Sequence, residues 1–272
     1  MKNNSAAWMR IVFISILLCS SFTASSAEPH SLDSARALFK QRCATAGENI
    51  KRRVSDVDGV FLLKLRSGEL NYRQQFRFDD PYGSDYRNKW YIQSFLQAHH
   101  QLPDYLARMR GRSIEPSGQV GYEYVEAVDV KDGKRYRYTA FIEQPGIADP
   151  RYAKNYYRVV LESKLANGQP PRYGVTYEDI STTEDRNHWI AGSSLKVIDL
   201  HNNEVIAERI GYMMDLGQGA DGGGRSPWLD AASNACPAFG GRIAAISQGG
   251  QTDRFVEKVL QPRPSSAPLT RK

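Results

Sequence analysis

From residue 31 onward, apolar positions first recur at steps of three and four. Leu32, Ala35, Phe39, Cys43, Ala46, Ile50 and Val54 form one stripe, which predicts a helix over Ser31–Val54 with Ser31 as its N-cap. Arg36, Lys40, Arg42, Lys51, Arg52 and Arg53 fall mostly off that stripe, on the side left to water. Gly47 weakens the helix interior by ~1 kcal/mol. Asp58-Gly59 turns the chain into a buried strand at Val60–Leu65. Asp79-Asp80-Pro81-Tyr82-Gly83 reads as a turn, and Trp90–His99 as a short helix stopped near Pro103.

From Val120 the period falls to two. Val120, Tyr122, Tyr124, Val128 and Val130 share one strand face, Asp132-Gly133 marks a hairpin, and Tyr136, Tyr138, Ala140 and Ile142 line the return strand. Tyr157, Val159 and Leu161 predict a third strand, and Tyr173, Val175 and Tyr177 a fourth. Trp189–Leu200 and Val205–Met214 form a further hairpin across His201-Asn202-Asn203-Glu204, where Asn tolerates the positive φ of a tight turn. Pro227–Ala235 and Asp253–Leu260 read as short helices, and 262–272 as a disordered tail. No helical pattern interrupts the strand run. The expectation is therefore an α+β fold, with an antiparallel β meander packed against an N-terminal amphipathic helix and short C-terminal helices. No repeat or low-complexity stretch divides the chain, so residues 28–261 read as a single domain.

The first residues carry a different pattern. Lys2 and Arg10 precede the apolar run Ile11–Leu18, and small residues lead to Ser25-Ser26-Ala27, the layout of a secretory signal cleaved before Glu28. The apolar run falls well short of the ~20 residues needed to cross ~30 Å of hydrocarbon. Leu18 before Cys19 does not suit a lipoprotein signal. Residues 1–27 are thus read as a signal peptide, placing the protein in the periplasm or outside the cell. No later segment is long and apolar enough to span a membrane.

Of the 272 residues, 41% are hydrophobic and 24% charged, which is ordinary globular composition. Removing 1–27 takes away Lys2 and Arg10 and no acid, leaving 34 basic against 30 acidic side chains. So weak a field argues against nucleic acid as a partner. The signal also removes Cys19. Cys43 and Cys236 remain, and in an oxidising compartment they predict one disulfide. It would join the helix to the C-terminal region.

Candidate chemistry is sparse. Gly217-Gln218-Gly219-Ala220-Asp221-Gly222 matches G-x-G-x-x-G, but it follows an antiparallel hairpin and no ribose-binding acid lies near Arg242. It reads as a Gly-rich surface loop. The amides of Gly217 and Gly219, with Arg225 and the start of the Pro227 helix, could hold an anion. Asp185, His188 and Ser193 or Ser194 supply the residue types of a nucleophilic triad without a G-x-S-x-G elbow. His99-His100 with Asp104, and Asp79-Asp80 with Asp85, lack metal-ligand spacing, so no metal is expected. Glu178-Asp179 and Glu184-Asp185 read as surface charge near turns. In Lys134–Tyr138 the arginines alternate with tyrosines. This puts Arg135 and Arg137 outward, toward solvent, an acidic protein surface or an anionic lipid. No cofactor motif is present.

RCATAGENIKRRVSDVDGVFLLKLR (Arg42–Arg66), DDPYG (Asp79–Gly83), WIAGSSLKVIDL (Trp189–Leu200), EVIAERIGYMMDLGQG (Glu204–Gly219) and RFVEKVLQP (Arg254–Pro262) resemble a family of exported proteobacterial proteins with no assigned activity. The resemblance implies a Gram-negative envelope protein and no catalytic residue. The leading expectation is a non-catalytic periplasmic protein binding a macromolecular partner in the cell envelope, such as an inhibitor or immunity-type protein. The rivals are a hydrolase built on His188 with Asp185, or on Asp215, and a small-anion carrier using the Gly217–Gly224 loop.

Overall fold

A computed structural model describes residues 31–68, 85–96, 121–154, 156, 158–239, 248–264 and 270–271. Five α-helices lie among them: α1 (Leu32–Cys43), α2 (Lys89–Phe95), α3 (Thr183–Asn187), α4 (Pro227–Asp230) and α5 (Gln251–Val259). The strands are β1 (Gly47–Ile50), β2 (Val54–Val57), β3 (Gly59–Leu62), β4 (Tyr124–Val128), β5 (Arg135–Glu143), β6 (Arg158–Leu165), β7 (Tyr173–Asp179), β8 (Ile190–Asp199), β9 (Glu204–Met214), β10 (Ala235–Cys236), β11 (Leu260–Pro262) and β12 (Thr270–Arg271). None of the described helices is long and apolar enough to cross a membrane.

The first helix starts where the pattern places it. Ser31 Oγ accepts the Ser34 amide at 3.1 Å, satisfying one of the unpaired N–H groups of the first turn. It ends at Cys43, eleven positions short of Val54. Gly47 sits at φ +147°, outside helical space, and the chain leaves there as a strand. Ile50 and Val54 are therefore strand residues, since backbone pairing with β9 and with β11 captures this stretch. A three-and-four spacing does not reveal such a competing partner.

The α+β class holds, but the sheet is mixed. Ten strands form one sheet of order β1-β9-β8-β7-β3-β4-β5-β12, with β10 beside β9 and β6 beside β5; β2 and β11 pair separately. β7-β8-β9 and β4-β5-β6 are antiparallel ribbons, as the hairpin signals require. They are joined through β3, which runs parallel to both β4 and β7. Parallel pairing needs a long crossover, and the stretch between Leu62 and Tyr124, which contains α2, supplies it. A period of two says which face a residue takes and nothing about strand direction.

The principal core lies where α2 and α5 cover the sheet. Tyr91, Ile92 and Phe95 pack with Phe255, Val256 and Val259 against Val60, Leu62, Val125, Val175, Leu195 and Val197. Thus Val125 and Ala127 face this core from β4, while Val128, on the opposite face, is exposed. At the far end of the β8–β9 ribbon, α1 packs Ala35, Leu38 and Phe39 against Ile190, Tyr212 and Met214. Trp228 and Ala231 of the α4 region cover Ala191 and Met213. Of the expected tail, Pro262 closes β11, and Thr270–Arg271 pairs in parallel with Ile142–Glu143. The turn at 79–83 and residues 97–99 of the expected second helix lie outside the described residues.

Candidate functional site

Cys43 and Cys236 form the disulfide, with Cα atoms 5.6 Å apart and a sequence separation of 193. It fastens the end of α1 to β10. Two side-chain ties join α1 to the α3 region beside it. Arg42 Nε donates to Asp185 Oδ1 at 2.7 Å, and Ser34 Oγ lies 3.2 Å from His188 Nε2.

Asp185 is buried, and its carboxylate is engaged. Oδ2 accepts from the Thr182 amide at 2.8 Å and from Thr182 Oγ1 at 2.9 Å, while the Asp185 amide donates to Thr182 Oγ1. This capping box starts α3, and Arg42 balances its charge. Asp185 therefore does not orient His188 by its carboxylate. The imidazole takes its orientation from Nδ1, 2.9 Å from the Glu184 carbonyl. That contact sets Nδ1–H as donor and leaves Nε2 to accept the Ser34 hydroxyl. Ser34 Oγ also lies 2.7 Å from the Ser31 carbonyl, so one hydroxyl proton serves two acceptors. Ser193 and Ser194, the serines suggested by the sequence, are buried in β8; Ser194 donates to Glu208 instead. Ser34 is invisible to sequence reasoning because 154 positions separate it from His188.

The glycine-rich loop does hold an anion, and the anion is its own Asp215. The buried carboxylate accepts from the Gly217 amide at 3.0 Å, the Gly219 amide at 2.8 Å and Arg225 Nη2 at 2.5 Å. The three groups offered by the sequence to an external anion are thus held internally. Gly219 sits at φ +83° against the Trp189 indole, where a Cβ would fall 2.1 Å from Cζ2. The glycines serve close packing and a turn. Asp215, similarly, has no free carboxylate edge for general base work.

Other charges singled out in the sequence follow the same rule. Arg137 clamps buried Glu126 through Nε and Nη2 at 2.8 and 2.7 Å, and Arg135 Nε lies 3.0 Å from it. Both arginines leave the core side as expected, yet their charge is spent within the sheet. Glu178 pairs with Lys196 and Asp179 with Arg186. Asp85 caps α5, accepting from the Gly250 amide at 2.7 Å and the Thr252 amide at 3.1 Å. Its neighbour Asp253 is buried, and desolvation holds its carboxyl well above the usual range. No group of three or more metal-binding side chains occurs among the described residues.

A cavity of about 590 Å³ opens where the β8–β9 hairpin meets the start of β7. Pro170, Pro171 and Leu200 form its apolar wall, and Gln169, Arg172 and His201 its polar one. Behind it lies Asp199, fully buried. Arg172 grips this carboxylate through Nε at 3.0 Å and Nη2 at 2.7 Å, and Arg52 reaches it at 2.7 Å. The Arg172 guanidinium, helped by the His201 amide and Arg52, lowers the Asp199 carboxyl to about 2, so the group is ionised throughout the neutral range. No linear signal marks this cluster, because Arg52 lies between β1 and β2, Arg172 just before β7 and Asp199 at the end of β8.

No family model, curated protein or solved structure matches the chain.

Proposed function

We propose that the protein is exported to the periplasm and acts there, without chemistry of its own, by binding a protein partner as an inhibitor or immunity-type protein. The observation that carries this reading is the placement of exposed apolar side chains. Among the described residues, nine large hydrophobics are exposed. Six of them, Val128, Val130, Ile147, Tyr152, Tyr156 and Leu165, fall between the end of β4 and the end of β6. Tyr152 and Tyr156 stack at 5.6 Å. Val128, Val130 and Leu165 lie at one end of the β5–β6 pair, and Ile147, Tyr152 and Tyr156 in the connection at its other end. Exposed aromatic and aliphatic groups in that connection, beside the outer strand of the sheet, suit a protein interface. Export is supported by the basic head and apolar run before Ala27, by the resemblance to exported proteobacterial proteins, and by a disulfide that oxidising surroundings would preserve.

The test is a photo-crosslinking amino acid at position 152, with position 221 in the loop after β9 as control, in cells that make the protein naturally. The expected result is one discrete adduct at 152, absent at 221 and abolished by Ile147→Asp. Equal labelling at both positions, or no protein adduct at 152, refutes the reading. A second reading, a hydrolase, is favoured by the Ser34–His188 contact at 3.2 Å, since Nε2 is set to accept the serine proton. It predicts that a fluorophosphonate labels Ser34, and that His188→Ala abolishes labelling. Absence of labelling in the folded wild-type protein refutes it.

A further inference from the structure

We propose that β6 pairs antiparallel with β6 of a second copy of this chain, joining two sheets into one across a two-fold axis at Ser163. The interface does not use the connection that carries Ile147, Tyr152 and Tyr156, which precedes β6.

The sheet leaves β6 with an open side. Tyr136, Arg137 and Tyr138 pair with β4 on one side and with β6 on the other. Ile142 and Glu143 pair with β12 and again with β6. β4 and β12 therefore share one flank of β5, and β6 takes the other. Among the described residues no strand lies beyond it. All 8 residues of β6 pair with β5, with neither a bulge nor a proline. The ladder also fixes where the backbone groups point. The Ala166 amide donates to the Arg135 carbonyl at 2.8 Å, one step beyond the Tyr136–Leu165 pair. Bonded positions alternate in an antiparallel ladder, so Val160, Glu162 and Lys164 turn N–H and C=O toward β5. Leu161, Ser163 and Leu165 turn theirs outward, as a template for another strand.

The side chains select a copy of the same strand. Edge strands commonly repel other strands with charge, lysine above all. Lys164 is exposed and sits opposite Arg137 in the register, a cation opposite a cation. With Ser163 of both copies on the axis, Lys164 falls opposite the partner's Glu162 on one face. On the other face Leu165, 54% exposed, falls opposite the partner's Leu161. Symmetry makes each pairing twice. Moving the axis one residue either way, to Glu162 or Lys164, sets like charges against each other. Gly168, at φ +79°, turns the chain just past the paired span.

The test is analytical ultracentrifugation of the purified protein from low micromolar to submillimolar concentration, with circular dichroism to show that each variant is folded. The wild type should sediment as a reversible dimer. Lys164→Glu sets acid against acid at both pairings and should weaken the dimer roughly tenfold. Adding Glu162→Lys restores opposite charges and should recover it. S163P removes an outward N–H that the β5 ladder does not use, and should leave a folded monomer. Ser163→Cys places two thiols across the axis with Cα atoms about 5.5 Å apart, so mild oxidation should link the dimer, whereas Asp221→Cys should not. Should S163P lose its fold, the charge swap and the linkage decide. A wild type that stays monomeric throughout, a dimer that a folded S163P leaves unchanged, or linkage at 163 no greater than at 221 overturns the proposal. So does a double charge swap that associates no better than Lys164→Glu alone.

Discussion

Replacing both Cys43 and Cys236 by alanine isolates what the disulfide does, because neither partner is left as a free thiol. The bridge closes a loop of 193 positions, which holds nearly all of the described sheet. Loop-closure entropy for so long a loop stabilises the folded state by about 5 kcal/mol as an upper bound, acting through the unfolded chain. Measured bridges usually deliver less, and about 3 kcal/mol is the expected loss here. The native state should survive, since α1 keeps Arg42–Asp185, Ser34–His188 and the contacts of Ala35, Leu38 and Phe39 with Ile190, Tyr212 and Met214. The assay is equilibrium urea unfolding of the protein, oxidised and reduced, beside the double variant. With a slope of about 3 kcal/mol per molar urea for a chain of this size, the midpoint should fall by about 1 M. Reduced wild-type protein should match the double variant. A midpoint unchanged within about 0.2 M, or two alkylatable thiols in unreduced denatured protein, would refute the reasoning.

Further outcomes follow from the buried charges and the loop. Asp199 is held near pKa 2 against about 3.9 in the unfolded chain, so its contribution is present above pH 4 and is lost as pH falls through 2. Its arginine partners are about half exposed, which reduces the contribution to about 1 kcal/mol. The urea midpoint of the wild type should exceed that of Asp199→Asn equally at pH 7 and pH 5, and the gap should narrow at pH 3; a gap that widens contradicts the clamp. Gly219→Ala should cost about 3 kcal/mol, through positive φ and overlap with Trp189, with an altered tryptophan emission spectrum. Arg225→Ala strips the cation that, among the described residues, touches Asp215, and the melting curve should register a loss of about 2 kcal/mol. Added sulfate should not restore it, since the anion of that loop is internal.

Alternation and turn residues made much of the strand content legible. Tyr173, Val175 and Tyr177 are all buried on one face, and the Asn-containing hairpin closes at 200–203 with Asn203 at φ +56°. Reading residues 1–27 as a signal leaves Cys43 and Cys236 with one pairing, and the structure has that disulfide. The G-x-G-x-x-G match follows an antiparallel hairpin and so lacks a dinucleotide-binding context, and its amides serve a neighbouring side chain. Residues close in sequence report on one another through local backbone geometry, so these features need no knowledge of the fold.

What the chain alone determined is therefore periodicity, turn positions and the sulfur partners. The direction of β3 relative to its neighbours, and the early end of α1, depend on which distant backbone is available to pair, and apolar spacing carries no record of that. The grouping of charges was decided in tertiary space as well. Arg42 meets Asp185 across 143 positions, Arg52 meets Asp199 across 147, and Thr252 meets Asp85 across 167. A buried carboxylate must find a counter-charge or donors wherever the fold supplies them, because leaving it bare costs several kcal/mol. That requirement is satisfied by proximity after folding, and proximity is the one property a linear sequence does not state.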